Sequence, residues 1–310
     1  MDFLIPLAVS TLRISVPYVL AALGGFASER SGVINIALEG MMLHGAFACV
    51  WVTAALESQG VPGTAAAWAG VLGALGAGAL TGGLHALVCV RWRADQITSG
   101  LAINLLAAGL TKFLLTLAFG SASNSTRVAG LGVWDVPGLA DWSLTRTLVC
   151  TPLVLVTLGL VVAGHALATR TAWGLRLHAV GEHPEAAAAA GLRVARLRGT
   201  AVVVSGALAA LGGAWLALDQ HQFTAGISGG RGYIALAALI FGKWTPRGAA
   251  LACLLFGGTE ALQIQLQAQG VARVPTQLLQ ALPYCVTMVA LAGMIGRSRP
   301  PAALGRPLPE

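Results

Sequence analysis

Four polar side chains lie inside the most apolar part of the chain. The segment SERSGVINIALEG (28–40) contains Glu29, Arg30, Asn35 and Glu39, with long apolar runs before and after it. Ionisable side chains in a membrane usually face other protein groups or a water-filled cavity, because burying a charge in lipid is costly. If the segment is helical, Asn35 and Glu39 share a face one turn apart. We expect these two residues to line a transport pathway, with helix packing alone as the alternative, whereas Glu29 and Arg30 suit a turn between helices.

Two further segments carry polar residues at helical spacing. Gln96 and Asn104 belong to a polar stripe in the run 97–119, and Glu260 and Gln263 share a face of the run 249–267. An interhelical hydrogen bond of about 1 kcal/mol explains any one such residue, but three stripes in one chain indicate a polar cavity. The glycines and polar residues of the first segment also suit a discontinuous helix, which marks substrate sites in transporters.

The composition identifies the solvent of this chain as a lipid bilayer. Of its 310 residues, 56% are hydrophobic and 10% are charged, whereas soluble domains carry roughly a quarter charged residues. A spanning helix needs about 20 mostly apolar residues, and such runs recur throughout the sequence. The net charge of +7 comes from arginines at the edges of these runs, which fits membrane topology and argues against a nucleic-acid partner.

Nine apolar runs predict an all-α polytopic membrane protein with about nine transmembrane helices, within a range of eight to ten. The runs cover 3–26, 33–56, 62–90, 97–119, 147–168, 200–218, 233–242, 249–267 and 277–296. The run 233–242 is too short to span unless 224–232 extends it or it is re-entrant. Abundant glycine lets helices pack closely where lipid provides no hydrophobic drive. We expect one small-residue-packed transmembrane domain over 1–299 and a cytoplasmic tail over 300–310.

The arginine distribution predicts the orientation. Cytoplasmic loops are enriched in Lys and Arg, which places 91–93, 170–198, 243–247 and 297–306 inside and 120–146 outside. With nine crossings, the N-terminus is then outside and the C-terminus is cytoplasmic. The membrane would be the inner (plasma) membrane.

The sequence carries no signature of an enzyme or of a metal site. No phosphate-binding loop (GxxxxGK[ST]), HExxH or CxxC motif occurs, and the five cysteines and six histidines are dispersed. We expect no bound cofactor, no metal and no catalytic residue, so any ATP that drives transport must be hydrolysed by another subunit. An ion-coupled secondary transporter and an integral membrane enzyme remain as alternatives, disfavoured by the few buried acids and the missing motifs.

The segment GEHPEAAAAAGLRVARLRG (181–199) predicts a short exposed helix on the arginine-rich side. Proline is favoured in the first turn of a helix, an acidic residue suits its positive end, and glycine ends it. We expect this helix to dock on a soluble partner, with a solvated loop as the alternative. The residues assigned to docking are Gly181, Glu182, Pro184, Glu185, Ala187, Ala188 and Gly191.

Four stretches resemble, in order, the inner-membrane permeases of ABC importers of the branched-chain amino acid/ribose type. They are SERSGVINIALEGMMLHGAF, DQITSGLAINLLAAGLTKFLL, GEHPEAAAAAGLRVARLR and RGYIALAALIFGKWTPRGA. The likeness runs from about residue 10 to residue 296 and is greatest to the shorter permease of general nucleoside importers. It implies that the chain is a permease subunit for nucleosides, with sugar (ribose-like) or branched-chain amino acid import as the alternative.

The resemblance also implies a set of partners. They are a longer homologous permease in a heterodimer, an ATPase with tandem nucleotide-binding domains, and an extracytoplasmic substrate-binding lipoprotein, all assembled in membrane lipid. ATP is then used by the partner subunit, and 181–192 matches the cytoplasmic coupling helix of such permeases. His44, His183 and His221 stand where other residues are common in the family, which leaves the substrate assignment open.

Overall fold

A computed structural model describes residues 3–132, 134, 150–268, 285–286, 288 and 299–307. Its ten α-helices within these ranges are α1 Leu4–Arg30, α2 Leu38–Glu57, α3 Gly63–Ala86, α4 Gln96–Phe119, α5 Pro152–Arg170, α6 Ala172–Glu182, α7 Pro184–Ala189, α8 Val194–Asp219, α9 Arg231–Phe241 and α10 Pro246–Ala268. The last turn of α3 continues as a π-helical segment, Leu87–Arg91. Within the described ranges, extended pairing is limited to a bridge between Asn124 and Thr224, so the all-α prediction is confirmed.

Seven of the described helices are long and apolar enough to cross a membrane. They are α1, α2, α3 with its π-helical end, α4, α5, α8 and α10. The short helix α9 has 11 residues, which is about 16 Å of helix and about half of the hydrocarbon core of a bilayer. The run 277–296 lies almost wholly outside the described residues, so the count of nine crossings stays a prediction.

Glycine packing brings the central helices α1, α2, α3 and α8 into contact. Gly78 of α3 faces the backbone of Gly206 of α8, and Gly213 of α8 faces the Met42 carbonyl of α2, with no space for a Cβ atom in either place. Lipid tails provide no hydrophobic drive between helices, so close van der Waals contact has to hold them together. The predicted small-residue packing is therefore confirmed for the helices that surround the candidate site.

The bundle has two distinct ends. At one end, which we call the α6–α7 end, the C-terminal tail folds back: Ala303 N–H donates to Gly181 O at 2.9 Å, and Gly305 N–H donates to Gly32 O at 3.1 Å. At the opposite end, Glu57 of α2 accepts a hydrogen bond from Ala129 N–H at 2.8 Å. The segment 170–198 and the tail thus lie at the same end, with 120–132 at the other. Which end faces the cytoplasm stays a prediction.

Candidate functional site

The chain between α1 and α2 is not helical although it is largely buried. Residues 31–37 form turns and irregular backbone, and α2 begins only at Leu38. Gly32 adopts φ +94°, a left-handed conformation that glycine adopts without steric penalty. Asn35 and Glu39 therefore do not share a helical face, and the discontinuous helix is the arrangement found.

Side chains from α3 and α4 form hydrogen bonds with the backbone of this non-helical segment, 31–37, which we call the break. Gln96 Oε1 accepts a hydrogen bond from Ile34 N–H at 2.7 Å, and Asn104 Nδ2 donates to Ile36 O at 2.9 Å. His85 Nε2 lies 3.2 Å from Ile34 O. Because lipid offers no partners, backbone groups at membrane depth must be paired within the protein. Gln96 and Asn104, predicted as pathway residues, thus pair with the backbone of the break. His85 does the same.

The side chain of Asn35 points from the break into the central helices. Its Nδ2 donates to Ser205 Oγ of α8 at 2.8 Å, while its Oδ1 is buried with no hydrogen-bond partner. An unpaired buried oxygen is destabilising, which sets this amide apart from the others in the cluster. Ser205 and His85 were not predicted from the sequence, since a single serine or histidine in an apolar run gives no signal of its partner.

Glu39 caps a second helix. Its Oε1 accepts hydrogen bonds from Ser228 Oγ at 2.5 Å and from Gly230 N–H at 2.8 Å. Its Oε2 accepts from Gly232 N–H at 2.8 Å. The two N–H groups lie at the start of α9, where free N–H groups and the helix dipole favour a negative charge. Glu39 therefore joins the starts of α2 and α9, two helices that both begin inside the bundle.

An ion pair with a hydrogen-bonded tyrosine lies beside the start of α9. Arg231 forms an ion pair with Glu260 of α10 at 2.8 Å, and Tyr18 of α1 donates its hydroxyl to Glu260 Oε2 at 2.5 Å. Gln263, also on α10, is half-buried. Tyr18 precedes Arg30, at the end of α1, by 12 residues, which is about 18 Å of helix. The ion pair therefore lies well inside the bundle.

The far end of α9 returns to the α6–α7 end. Trp244, directly after α9, donates its indole N–H to Glu29 Oε2 at 2.6 Å. The short helix thus starts in the interior beside Glu39 and ends beside the last turn of α1. This geometry supports the re-entrant alternative for 233–242.

The predicted docking helix forms as α7. It begins at Pro184 and ends at Ala189, and Gly191 follows with φ +84°. Ala187 is 5% exposed and packs with Val180 and Val194, whereas Ala188 and Glu185 are exposed. One face of the helix therefore holds it to the chain and the other is open to solvent or a partner.

Gly181 and Glu182, assigned to docking, make contacts within the chain. Gly181 packs directly on the Arg30 carbonyl, with no space for a side chain. Glu182 lies 3.7 Å from Arg30 Nη1 and 3.6 Å from His178 Nδ1, and it accepts a hydrogen bond from Ala302 N–H at 3.1 Å. These contacts hold α6 against α1 and the tail. They therefore fix the position of α7, which follows α6 directly.

The same end of the bundle holds the cap of α4. Asp95 accepts hydrogen bonds from the N–H and the hydroxyl of Thr98, both at 2.7 Å. These bonds favour the carboxylate and hold the pKa of Asp95 below its ordinary value. The cap fixes the first turn of α4, from which Gln96 reaches the break. Across the part of the chain that the structure describes, no group of three His, Cys, Asp or Glu could hold a metal ion.

The comparison with known families decides what kind of protein this is. A family model described as "Branched-chain amino acid transport system / permease component" matches residues 7–291. The chain belongs to this permease family. Its members are transport proteins and not enzymes. The broken helices and buried polar cluster thus belong to a multi-pass permease.

Three curated relatives match most of the chain. The guanosine ABC transporter permease protein NupQ of Bacillus subtilis is 39% identical and covers 96% of this chain and 94% of its own length. The nucleoside ABC transporter permease protein NupC of Lactococcus lactis is 37% identical over 94% of this chain and 92% of its own length. The putative glucose ABC transporter permease protein TsgC13 of Haloferax volcanii is 31% identical over 96% and 94%.

Each of these three organisms also has a second, less similar permease. They are NupP at 28% identity, NupB at 25% and TsgB13 at 29%. This chain aligns with 69–72% of the length of each, whereas it aligns with more than nine tenths of the first three. The relatives thus occur as a similar permease together with a longer, more distant one.

Proposed function

We propose that this chain is the permease subunit of an ATP-binding cassette importer for nucleosides. The observation that carries the proposal is the 39% and 37% identity, over nearly the whole of both chains, to permeases named for guanosine and nucleoside transport. The family description names branched-chain amino acids, but that family model is broader than these two relatives. The chain contributes the membrane pathway and binds no ATP itself.

The same comparison supports a proposed set of partners. The pairing of a similar and a longer permease in each of the three organisms supports a heterodimer with a longer homologous subunit. A permease without a phosphate-binding loop needs a separate ATPase, for which we propose a subunit with tandem nucleotide-binding domains. An extracytoplasmic substrate-binding lipoprotein would deliver the nucleoside.

The proposed orientation puts the α6–α7 end in the cytoplasm, with the C-terminus there and the N-terminus outside. Its support is the arginine content of 91–93, 170–198 and 243–247, because cytoplasmic loops are enriched in basic residues. The exposed face of α7 then points at the cytoplasmic ATPase. We propose that this face transmits the movement of the ATPase to the bundle through the contacts of Gly181 and Glu182 with α1.

We propose that the buried polar residues Asn35, Glu39, Gln96, Asn104 and Glu260 hold the backbone that forms the wall of the pathway. Gln96 and Asn104 hold the break before α2, and Glu39 holds the start of α9. Glu260 holds Arg231, and Asn35 keeps one unpaired oxygen. An ion-coupled transporter would need a carboxylate free to take up a cation, whereas Glu39 and Glu260 are both engaged by donors. That engagement favours an ATP-driven permease.

The test is uptake by membrane vesicles or cells that carry the complete importer. We expect radiolabelled guanosine to accumulate, unlabelled nucleosides to compete, and accumulation to stop when the ATPase subunit is inactivated while the ion gradient is intact. Leucine and ribose serve as matched negative substrates. Uptake of either of these, with no uptake of any nucleoside, would falsify the substrate class.

A second candidate substrate is glucose. The relative TsgC13 is 31% identical over 96% of this chain, so the same architecture serves in a protein named for a sugar. We rank it below nucleosides because identity to NupQ and NupC is higher. Labelled glucose belongs in the same uptake experiment.

A further inference from the structure

An exposed stretch without helical structure enters the interior of the bundle. Residues 224–230 (TAGISGG) connect α8 to α9 through turns. Gly226, Gly229 and Gly230 have φ of +74°, +54° and +84°, a backbone shape that glycine adopts readily. Ala225, Gly226 and Gly229 are exposed. The stretch thus offers irregular backbone, and not an apolar helix face, to whatever lies beside it.

Two contacts place this stretch below the surface of the membrane. Phe223 packs edge-on against Phe47 of α2, with ring centroids 5.5 Å apart. Phe47 precedes Glu57, at the end of α2, by ten residues, or about 15 Å of helix. At its other end the stretch reaches Glu39 through Gly230 N–H at 2.8 Å, and Glu39 is at the start of α2. The stretch therefore descends from the end of α8 into the middle of the bundle.

Lipid is not a possible neighbour for this stretch. Irregular backbone at membrane depth is tolerated only where it is buried in protein or lines a water-filled cavity, because each unpaired group exposed to hydrocarbon costs several kcal/mol. Within this chain Ala225 and Gly229 are exposed and not buried. Their side of the bundle must therefore face water or the partner permease.

Tyr233, in the first turn of α9, provides a hydrogen-bond donor beside this stretch. Its side chain is 44% exposed, and its hydroxyl oxygen accepts from Asn104 Nδ2 at 2.9 Å. The amide of Asn104 has a fixed orientation, because its Oδ1 accepts from Gly40 N–H at 2.8 Å. With its oxygen engaged in this way, the Tyr233 hydroxyl has its proton available to donate outward.

The charged side chains nearby are engaged by partners within the bundle. Glu39 is surrounded by three donors, and Arg231 is paired with Glu260. The exposed surface of 224–230 and Tyr233 itself carries no charged side chain. Such a surface suits an uncharged polar solute that carries hydrogen-bond acceptors, and it disfavours an ion or a zwitterion.

We infer that residues 224–230 and Tyr233 form the floor of an aqueous pathway, which runs from the loop 120–132, where Ala225 N–H donates to Ser123 O at 2.8 Å, down to Glu39 inside the bundle. The Tyr233 hydroxyl donates to an acceptor of the passing solute, which on a nucleoside is a base carbonyl or ring nitrogen. Asn104 is a positioning residue that orients this hydroxyl. The inference rests on the proposed function only for the identity of the solute as a nucleoside.

Cysteine accessibility tests the floor. In a Cys285→Ser background, which removes the exposed thiol, we would introduce Ala225→Cys or Tyr233→Cys into the complete importer. A charged, membrane-impermeant methanethiosulfonate reagent should modify both, and modification should block uptake. Ala122→Cys, exposed after α4, is the reactive control, and Leu80→Cys, 77% exposed in the middle of α3, is the unreactive one. If both test positions stay unreactive while Ala122→Cys reacts, the partner covers this surface and the inference is wrong.

A conservative substitution tests the solute contact. Tyr233→Phe keeps the ring and the packing, so the amount of assembled importer should not change. Guanosine uptake should fall about fivefold, as expected for one lost hydrogen bond in the pathway. Unchanged uptake would overturn the assignment of Tyr233. Reactive cysteines in an importer that takes up no nucleoside would leave the floor intact and contradict the proposed function alone.

Discussion

Glu39 and Gly232 meet where two helices begin: the N–H of Gly232, in the first turn of α9, donates to Glu39 Oε2 at 2.8 Å. Residue 232 must be glycine here, because a Cβ atom would collide with the backbone of Glu39. One carboxylate thus fixes the separation of α2 and α9. The start of α9, and with it the exposed stretch before it, is held in place by this contact.

Replacement of Glu39 should therefore destabilise the subunit. Glu39→Ala leaves Ser228 Oγ, Gly230 N–H and Gly232 N–H without their acceptor, at about 1–3 kcal/mol for each unsatisfied group. We expect a strong loss of protein from the membrane and a lower melting temperature of the purified complex. Glu39→Gln keeps one acceptor oxygen and should fall between Glu39→Ala and the native protein.

The control for this pair is Glu185→Ala. Glu185 is exposed on α7, so its loss should leave the amount of protein unchanged. A Glu39→Ala subunit that is as stable as the native protein but inactive in uptake would contradict the capping role. That result would favour direct contact of Glu39 with the solute.

Neighbouring positions of α7 should respond differently to a bulky side chain. Ala187 is buried against Val180 and Val194, so Ala187→Trp overfills its site and should cost about 1–3 kcal/mol of stability. Ala188 is exposed, so Ala188→Trp should leave the fold intact while it blocks ATP-dependent uptake and reduces co-purification of the ATPase.

The matched control is Leu175→Trp, because Leu175 is 71% exposed on α6 at the same end. We expect it to retain uptake, since surface substitutions usually change stability by less than about 0.5 kcal/mol. Normal uptake and normal ATPase co-purification in Ala188→Trp would show that the exposed face of α7 does not dock.

Glycines in α3 provide a test of the packing. Gly78 lies against the backbone of Gly206, so Gly78→Ala should force α3 away from α8 and lower the melting temperature. Gly76, on the same helix, has no neighbour within 4 Å of an added Cβ, and Gly76→Ala should be neutral or slightly stabilising. Equal melting temperatures of the two variants, measured in the same detergent, would argue against packing through Gly78.

The orientation can be tested by labelling from one side. In the Cys285→Ser background, Ser123→Cys should react with an impermeant thiol reagent added outside intact cells, and Ala190→Cys should react only after the inner face is exposed. Both residues are exposed in the structure. The opposite pattern would reverse the proposed topology.

The sequence allowed several spans to be predicted well, because length and apolarity alone determine a spanning helix. The run 97–119 corresponds to α4 Gln96–Phe119, where Asp95 provides a recognisable cap. The run 33–56 began five residues too early, since α2 starts at Leu38. Its first residues are as apolar as those of a spanning helix, but hydrogen bonds from Gln96, Asn104 and His85 on other helices hold them in a non-helical conformation. No local pattern encodes those partners.

The candidate site was predicted in its members but not in their roles. Asn104 and Glu39 stood out because polar groups in apolar runs are costly. That argument cannot distinguish a residue that lines the pathway from one that caps a helix. Tyr233 was missed because an aromatic residue in an apolar run is the ordinary case. The tail contacts of Gly181 and Glu182 depend on tertiary packing of distant segments, which spacing does not report.

Arg198 is fully buried and donates to two carbonyls from opposite ends of the chain, Ser31 O at 3.1 Å and Arg306 O at 2.8 Å. Ser31 O belongs to the non-helical segment before α2, whereas Arg306 O belongs to the tail that folds back on the α6–α7 end. One guanidinium therefore joins these two segments. Deletion of 299–307 would leave a buried cation with an unpaired donor, which is destabilising, so the tail is a structural part of the bundle and not an appendage to it.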